Sequence, residues 1–254
     1  MIRTFFNINY EIERENALRQ VDEYVNTNRM GYVVVADGVI MNTANRVPDY
    51  LDVVNASMFS ICDSSFVPMY IKWIHGVKVE QYCGSDIFGD IVGKKKYRMA
   101  FLGTKQATLD ALRANLSKTD KRIEKMLFAE LPFREVEDFD YEAIAKRVNE
   151  YEADIIWVAL GAPKQEYFMN RLLPHLKKGV MIAVGAAFNF YSGTDEKRAP
   201  KWMLNHHLEF VYRIYKHPKK QLNRCAWIVL TLPGLLYSEW KSKKLLCLQT
   251  LTIR

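Results

Sequence analysis

Three groups of residues in this chain could carry chemistry: acids at the ends of apolar runs, a Pro-Lys-Gln-Glu turn, and cations near the C-terminus. Asp63 follows an apolar run (57–62) and precedes Ser64 and Ser65; Asp37 stands 26 positions earlier (63 − 37), after the run 31–36. A carboxylate at the carboxyl end of a strand can take a proton from an attacking hydroxyl. It can equally close an Asx turn or cap a helix, the commoner fate of a loop aspartate. Both readings stand for Asp63 and for Asp37. Lys164, Gln165 and Glu166 follow Pro163 and open a helical run. Gln165 can donate and accept, which suits a hydroxyl-rich ligand. Lys164 opposes the dipole at a helix start, and such local inconsistencies gather at functional sites; an ordinary surface helix with proline in its first turn is the alternative. Gly103, Gly185 and Ala186 end apolar runs, where small residues permit close approach of phosphate groups or simply tight packing. Gly84, Ser85 and Asp86 read as a helix start with Ser85 as cap and Asp86 in the first turn. Pro132 and Phe133 end a further run, and Asn189 can hydrogen-bond a ligand.

Several chemistries find no support. There is no G-x-G-x-x-G and no G-x-x-x-x-G-K-[ST], which disfavours dinucleotide cofactors and P-loop chemistry. Cys62, Cys83, Cys225 and Cys247 are widely spaced with no C-x-x-C pair, so a zinc site is not expected and a reducing compartment is. His206, His207 and His217 form no ligand set with carboxylates. Asp138-Phe139-Asp140 is a D-x-D, a common metal-diphosphate handle, but it directly precedes a helical run, where Asp140 reads as an N-cap. No metal and no resident cofactor are expected.

The elements that must position these residues alternate. Apolar runs at 155–160 and 180–184 bracket a helical run at 167–177; this is a parallel βαβ unit, and ligands of such sheets sit beyond the carboxyl ends of the strands. Before it the chain reads as a short strand and a helix (11–27), a strand (31–36), and a helix to Asn55 interrupted near Pro48. A strand (57–62), a strand (97–102), a helix (106–116), a strand (126–128) and a helix (141–151) follow. Residues 1–193 are expected to form an α/β domain, an open, mostly parallel Rossmann-like sheet flanked by helices.

Residues 194–254 differ in composition. Arg198, Arg213, Lys219, Lys220 and Arg224 are interleaved with aromatics such as Trp202, Trp227 and Trp240. A basic, aromatic-rich helical appendage suits peripheral attachment to an anionic bilayer; packing of the aromatics onto the main domain explains them as well. The net charge of +7 suits anionic partners generally: nucleic acid, phosphorylated substrates or a membrane surface. No uncharged apolar run reaches the roughly 18 residues of a spanning helix, and the longest (225–237) contains Pro233 and Gly234. The N-terminal stretch carries acids where a signal peptide needs an apolar core. The expected location is cytoplasmic, peripheral on the inner face of the cell membrane.

A strand followed by Gly-Ala-Pro-Lys-Gln-Glu, a strand followed by Gly185-Ala-Ala-Phe-Asn-Phe190, and the segment Arg198-Ala-Pro-Lys-Trp-Met203 together resemble the WecG/TagA/CpsF family of bacterial glycosyltransferases, over residues 32–224. The resemblance implies an inverting transfer of a hexose or N-acetylhexosamine (N-acetylmannosamine-like or glucose-like) from a UDP-sugar to a polyprenyl-diphosphate-linked saccharide, in capsule, exopolysaccharide or wall-polymer synthesis. It implies Asp63 as general base; Asp37, Gln165, Lys164, Glu166, Gly84, Asp86, Gly103, Pro132, Phe133, Gly185, Ala186 and Asn189 on the donor side; and Arg198, Arg213, Lys219, Lys220 and Arg224 toward the acceptor diphosphate or membrane. The chain departs from the family pattern at several positions. Val35-Ala36-Asp37 replaces a Thr-x-Asn that contacts the donor sugar, Ser64 a glycine, Gln81 an arginine, Asn189 an aspartate, and Lys219-Lys220 a pair of arginines. Two other readings remain: a non-catalytic relative that scaffolds a polysaccharide complex, and a basic nucleic-acid-binding protein, although no nucleic-acid motif is present. A homo-oligomer in which one tail shields a neighbour's site is compatible with the sequence.

Overall fold

The computed structural model describes residues 1–193, 200, 203, 209–216 and 218–252; the side chains of residues 209, 210, 213, 216, 219–225 and 245–252 lie outside that description. The chain opens with an antiparallel hairpin, β1 (Ile2–Phe5) and β2 (Ile8–Glu11). Phe6 and Asn7 turn it with φ of 50° and 61°, the left-handed pair that a two-residue hairpin loop needs. The sequence suggests only one strand here, because four-residue strands are too short for alternation to show.

Then come α1 (Arg14–Asn26), β3 (Met30–Ala36), α2 (Gly38–Ala44), α3 (Pro48–Asn55), β4 (Phe59–Cys62), α4 (Phe66–His75), α5 (Gly84–Gly93) and β5 (Met99–Gly103). They are followed by α6 (Gln106–Leu116), β6 (Leu127–Ala129), α7 (Tyr141–Tyr151), β7 (Ile155–Ala159), α8 (Lys164–Leu172), β8 (Gly179–Ala183) and α9 (Ala187–Ser192). Pro48 sits in the first turn of α3 and splits the second helical run. Asp140 caps α7, accepting from the amide of Ala143. α8 starts earlier and ends sooner than the periodicity suggests: Pro174 has no N–H for the α-ladder, and Leu173–His175 forms a 3₁₀ turn.

The eight strands form one sheet in the order β1-β2-β4-β3-β8-β7-β5-β6, parallel apart from β1. Its central strands are apolar at consecutive positions because both faces are covered. Tyr32, Val34 and Ala36 of β3 enter one core with residues of α2, α3, α4, α7 and α8. Val33 and Val35 enter the other with residues of α1, α5, α6 and α9. Gly103 is required by packing: its φ is 118°, and an added Cβ would sit 2.4 Å from the carbonyl oxygen of Ala159 on the neighbouring strand.

The tail is helical as expected, with α10 (Glu209–Lys216) and α11 (Pro218–Thr252). α11 packs on α2 and α4, and Leu232, Leu235 and Leu236 reach the first core. Among the described residues, no helix is long and apolar enough to cross a membrane.

Candidate active site

β3, β4, β7 and β8 end on one edge of the sheet, and there a crevice of about 350 Å³ opens. Asp37, Asp63, Gly84, Gln165, Gly185, Ala186 and Asn189 line it. The sequence separation of the two acids is closed by strand register: Ala36 lies opposite Cys62, so the next residue on each strand is an aspartate at the same edge. The amide of Asp63 donates to the carbonyl of Ala36 at 3.0 Å, and its Oδ1 accepts from the amide of Gly84, also at 3.0 Å. Asp63 thus supplies the cap at the start of α5 that Ser85 was expected to provide, while still facing the crevice. Oδ1 of Asp37 accepts from the amides of Val39 and Ile40, both at 2.9 Å, capping α2. For both aspartates the capping and crevice readings hold together.

Gln165 is held from two sides. Its Oε1 accepts from the Gly161 amide at 3.1 Å, and its Nε2 donates to Glu166 Oε1 at 2.9 Å. Glu166 is fully buried, and the Tyr50 hydroxyl donates to its other oxygen at 3.1 Å. Burial pushes the Glu166 carboxyl up to about 7, against hydrogen bonds from Gln165, its own backbone and Tyr50 that lower it; the charge of Asp37 pushes it further up. Glu166 therefore lies behind Gln165 rather than in the crevice.

The helices α2, α5 and α8 begin at this edge, so their positive N-terminal ends face the crevice. Gly185, with φ of 48°, and Ala186 leave backbone accessible beside them. Among the described residues, carboxylates are present in the lining but no lysine or arginine. Oriented amides and helix ends can hold a diphosphate here, and an acid beside it can take a proton.

The glycosyl transferase WecG/TagA/CpsF family matches this chain from residue 3 to residue 245. The chain belongs to that family. A Bacillus subtilis (strain 168) protein named N-acetylglucosaminyldiphosphoundecaprenol N-acetyl-beta-D-mannosaminyltransferase is 28% identical over 214 residues, covering 77% of this chain and 81% of the relative. A protein of the same name from Bacillus spizizenii is 27% identical over 206 residues, covering 78% and 76%. Another from Staphylococcus aureus (strain MW2) is 25% identical over 224 residues, covering 86% and 82%. The chain is a glycosyltransferase.

Other candidate residues of the glycosyltransferase lie off the crevice. Pro132 lines a separate, mainly apolar cavity of about 170 Å³ between β6 and α7. Phe133 is fully exposed, with Lys164 Nζ 4.7 Å above its ring. Lys164 also donates to the carbonyl of Arg134, so it ties the start of α8 to the loop after β6. Asp86 is not in the lining, and its Oδ2 lies 3.7 Å from Arg14. Gly103 packs against β7 as described, and the adjacent Thr104 lines the crevice instead. Arg198 and the side chains of Arg213, Lys219, Lys220 and Arg224 lie outside the described residues.

Sequence reasoning missed Ile40, Thr104 and Phe190, which also line the crevice with Gly161. Thr104 carried a usable signal, since it lies within two residues after a strand. Tyr50 and Arg14 carried none: each meets its partner across 116 and 72 residues respectively (166 − 50, 86 − 14). The tail comes close to the rim, where a Cβ placed on Gly38 would stand 3.5 Å from Ile228 Cδ1.

Proposed function

We propose that this glycosyltransferase moves an N-acetylhexosamine, in the first instance N-acetylmannosamine, from a UDP-sugar to a hydroxyl of a polyprenyl-diphosphate-linked saccharide, with inversion. The observation that carries the reading is the meeting of Asp63 and Gln165 in one crevice edged by helix N-termini. The names of the Bacillus and Staphylococcus relatives support the acceptor and the N-acetylmannosaminyl group. The proposed setting is wall-polymer, capsule or exopolysaccharide synthesis. Asp37, which stands where the family pattern has an asparagine, keeps a glucose-like hexose as the competing donor.

The diphosphate of the donor lies against the first turns of α5 and α8 and the backbone at Gly185 and Ala186, where amide donors offset its charge. Gln165, locked by Gly161 and Glu166, orients sugar hydroxyls. The acceptor oxygen attacks the anomeric carbon from the face opposite the diphosphate. As that C–O bond forms, the bond to the diphosphate breaks and UDP leaves with the electron pair. The acceptor's proton passes to the Asp63 carboxylate. Cations of the tail, Arg198, Arg213, Lys219, Lys220 and Arg224 among them, serve the acceptor diphosphate or an anionic membrane surface. The enzyme works on the cytoplasmic face of the membrane, held peripherally, without nucleic acid as a partner. The transfer in this reading runs without a metal ion.

Asp63→Asn tests the reading. The amide oxygen still accepts from Gly84, so the start of α5 is kept while the base is lost. Turnover of UDP-sugars on a lipid-diphosphate acceptor, followed by product mass with EDTA present, should fall by about 10²- to 10⁴-fold, with UDP affinity unchanged. Near-normal turnover by the variant would remove Asp63 from the mechanism. Wild-type turnover that stops on chelation and returns with a divalent ion would overturn the metal-free step.

A further inference from the structure

α4 buries Val67, Ile71 and Ile74 and turns another stripe outward. Met69 and Trp73 are exposed by 53% and 76%, at the i, i+4 spacing of one helical face. α11, in contact with α4, does the same: Leu232, Leu235 and Leu236 pack inward, while Leu230 and Tyr237 are 78% and 64% exposed. The two helices are clamped together. His75 Nε2 meets Glu239 Oε1 at 2.8 Å, and Lys243 Nζ donates to the Ile74 carbonyl at the end of α4.

The net charge on these helices is positive. Lys72, Lys241 and Lys244 are exposed, and Lys244 Nζ lies 4.5 Å over the Trp240 ring. Glu239 is the one carboxylate within α4 and α11, and it is spent on His75. Exposed Trp, Tyr and Lys beside apolar side chains match the headgroup layer of an anionic bilayer. A second copy of the chain fits poorly, because a two-fold contact through this face would set lysine against lysine.

We propose that α4 is a second membrane-inserting element beside the tail, with Met69 and Trp73 entering an anionic phospholipid surface together with Leu230 and Tyr237 of α11. α4 begins three residues after Asp63 (66 − 63). Its insertion therefore fixes the base and the crevice mouth at headgroup depth, where the diphosphate of a polyprenyl-linked acceptor lies. This rests on the proposed lipid-linked acceptor.

The test uses the full chain and the double variant Met69→Glu/Trp73→Glu, whose side chains are exposed. Cosedimentation with phosphatidylglycerol/phosphatidylcholine vesicles should weaken by about 10-fold or more. Turnover should fall on a vesicle-embedded acceptor and stay unchanged on a short-chain, water-soluble one. As a check independent of the double variant, brominated lipids should quench tryptophan emission in the wild type, and less in Trp73→Phe. Unaltered vesicle affinity of the double variant, or quenching unaffected by Trp73→Phe, would overturn the role of α4 while leaving tail attachment standing. A wild-type dimer that the double variant dissociates without loss of vesicle binding would make this face a subunit contact and overturn the proposal. Wild-type protein that binds no vesicles, yet turns over a soluble acceptor, would overturn insertion without touching the chemistry.

Discussion

At the residue scale, Glu166 shows how a binding side chain is held in place from behind. It contributes two carboxylate oxygens to a closed set of Gln165 and Tyr50, and it does so without contact with solvent. Its carboxyl is pushed up from the usual 4.5 to about 7 by burial. Between those values the folded protein holds a proton that the unfolded chain has released. Burial of Glu166 therefore costs nothing below about pH 4.5 and progressively more as pH rises through 7. Glu166→Gln removes the titration and keeps one acceptor for Gln165. Measured by denaturant unfolding, the wild type should lose roughly 3 kcal/mol relative to this variant between pH 4.5 and pH 8. A difference that is flat across that range would mean the carboxyl is not perturbed. Asp63, by contrast, is both cap and crevice residue, which is why asparagine rather than alanine separates its two roles.

At the element scale, the decisive contact is between α11 and the main domain. α11 crosses α2, where Asn42 donates to Thr231 and Arg46 stacks 4.5 Å over Trp227. It then reaches α4 through the Glu239–His75 pair, whose side chains are only 12% and 18% exposed. Such a partly buried contact contributes more than a surface pair, about 1 kcal/mol or somewhat above. Glu239→Ala should therefore loosen this helix locally. Amide hydrogen exchange across residues 226–244 should speed up several-fold, while the amides of β3, β7 and β8 keep their rates. Uniform acceleration throughout the protein would show that the pair supports global stability instead.

At the scale of the whole molecule, the +7 charge is unevenly used. Among the described residues the crevice lining carries carboxylates and no lysine or arginine, whereas the sequences of α4 and α11 carry Lys72, Lys219, Lys220, Arg224, Lys241, Lys243 and Lys244 against Glu239 alone. Attraction to an anionic bilayer should then be largely electrostatic at first approach and apolar once seated. Vesicle binding should weaken markedly as salt rises from about 0.05 to 0.5 M, since the screening length falls from roughly 14 to 4 Å over that range. A residue of binding should survive through Trp73 and its neighbours. Binding that ignores salt would leave the cations without that role.

The sequence by itself determined the α/β class, the order of most strands and helices, and the segments that meet at one edge of the sheet. These follow from local patterns: apolar runs of strand length, helical periodicity, and proline and glycine at their ends. It also marked Asp37, Asp63, Gly84, Gln165, Gly185 and Ala186, each just past a strand or in the first turn of the next helix, while Asn189 was marked by its place in the family motif. Only the tertiary structure decided which neighbours of those residues face inward. Glu166 adjoins Gln165 in the chain but points into the core toward Tyr50, and Asp86 lies two residues from Gly84 but one helical face away, toward Arg14. Direction on a helix and pairing between distant segments depend on what each face packs against, and adjacency in sequence does not encode that.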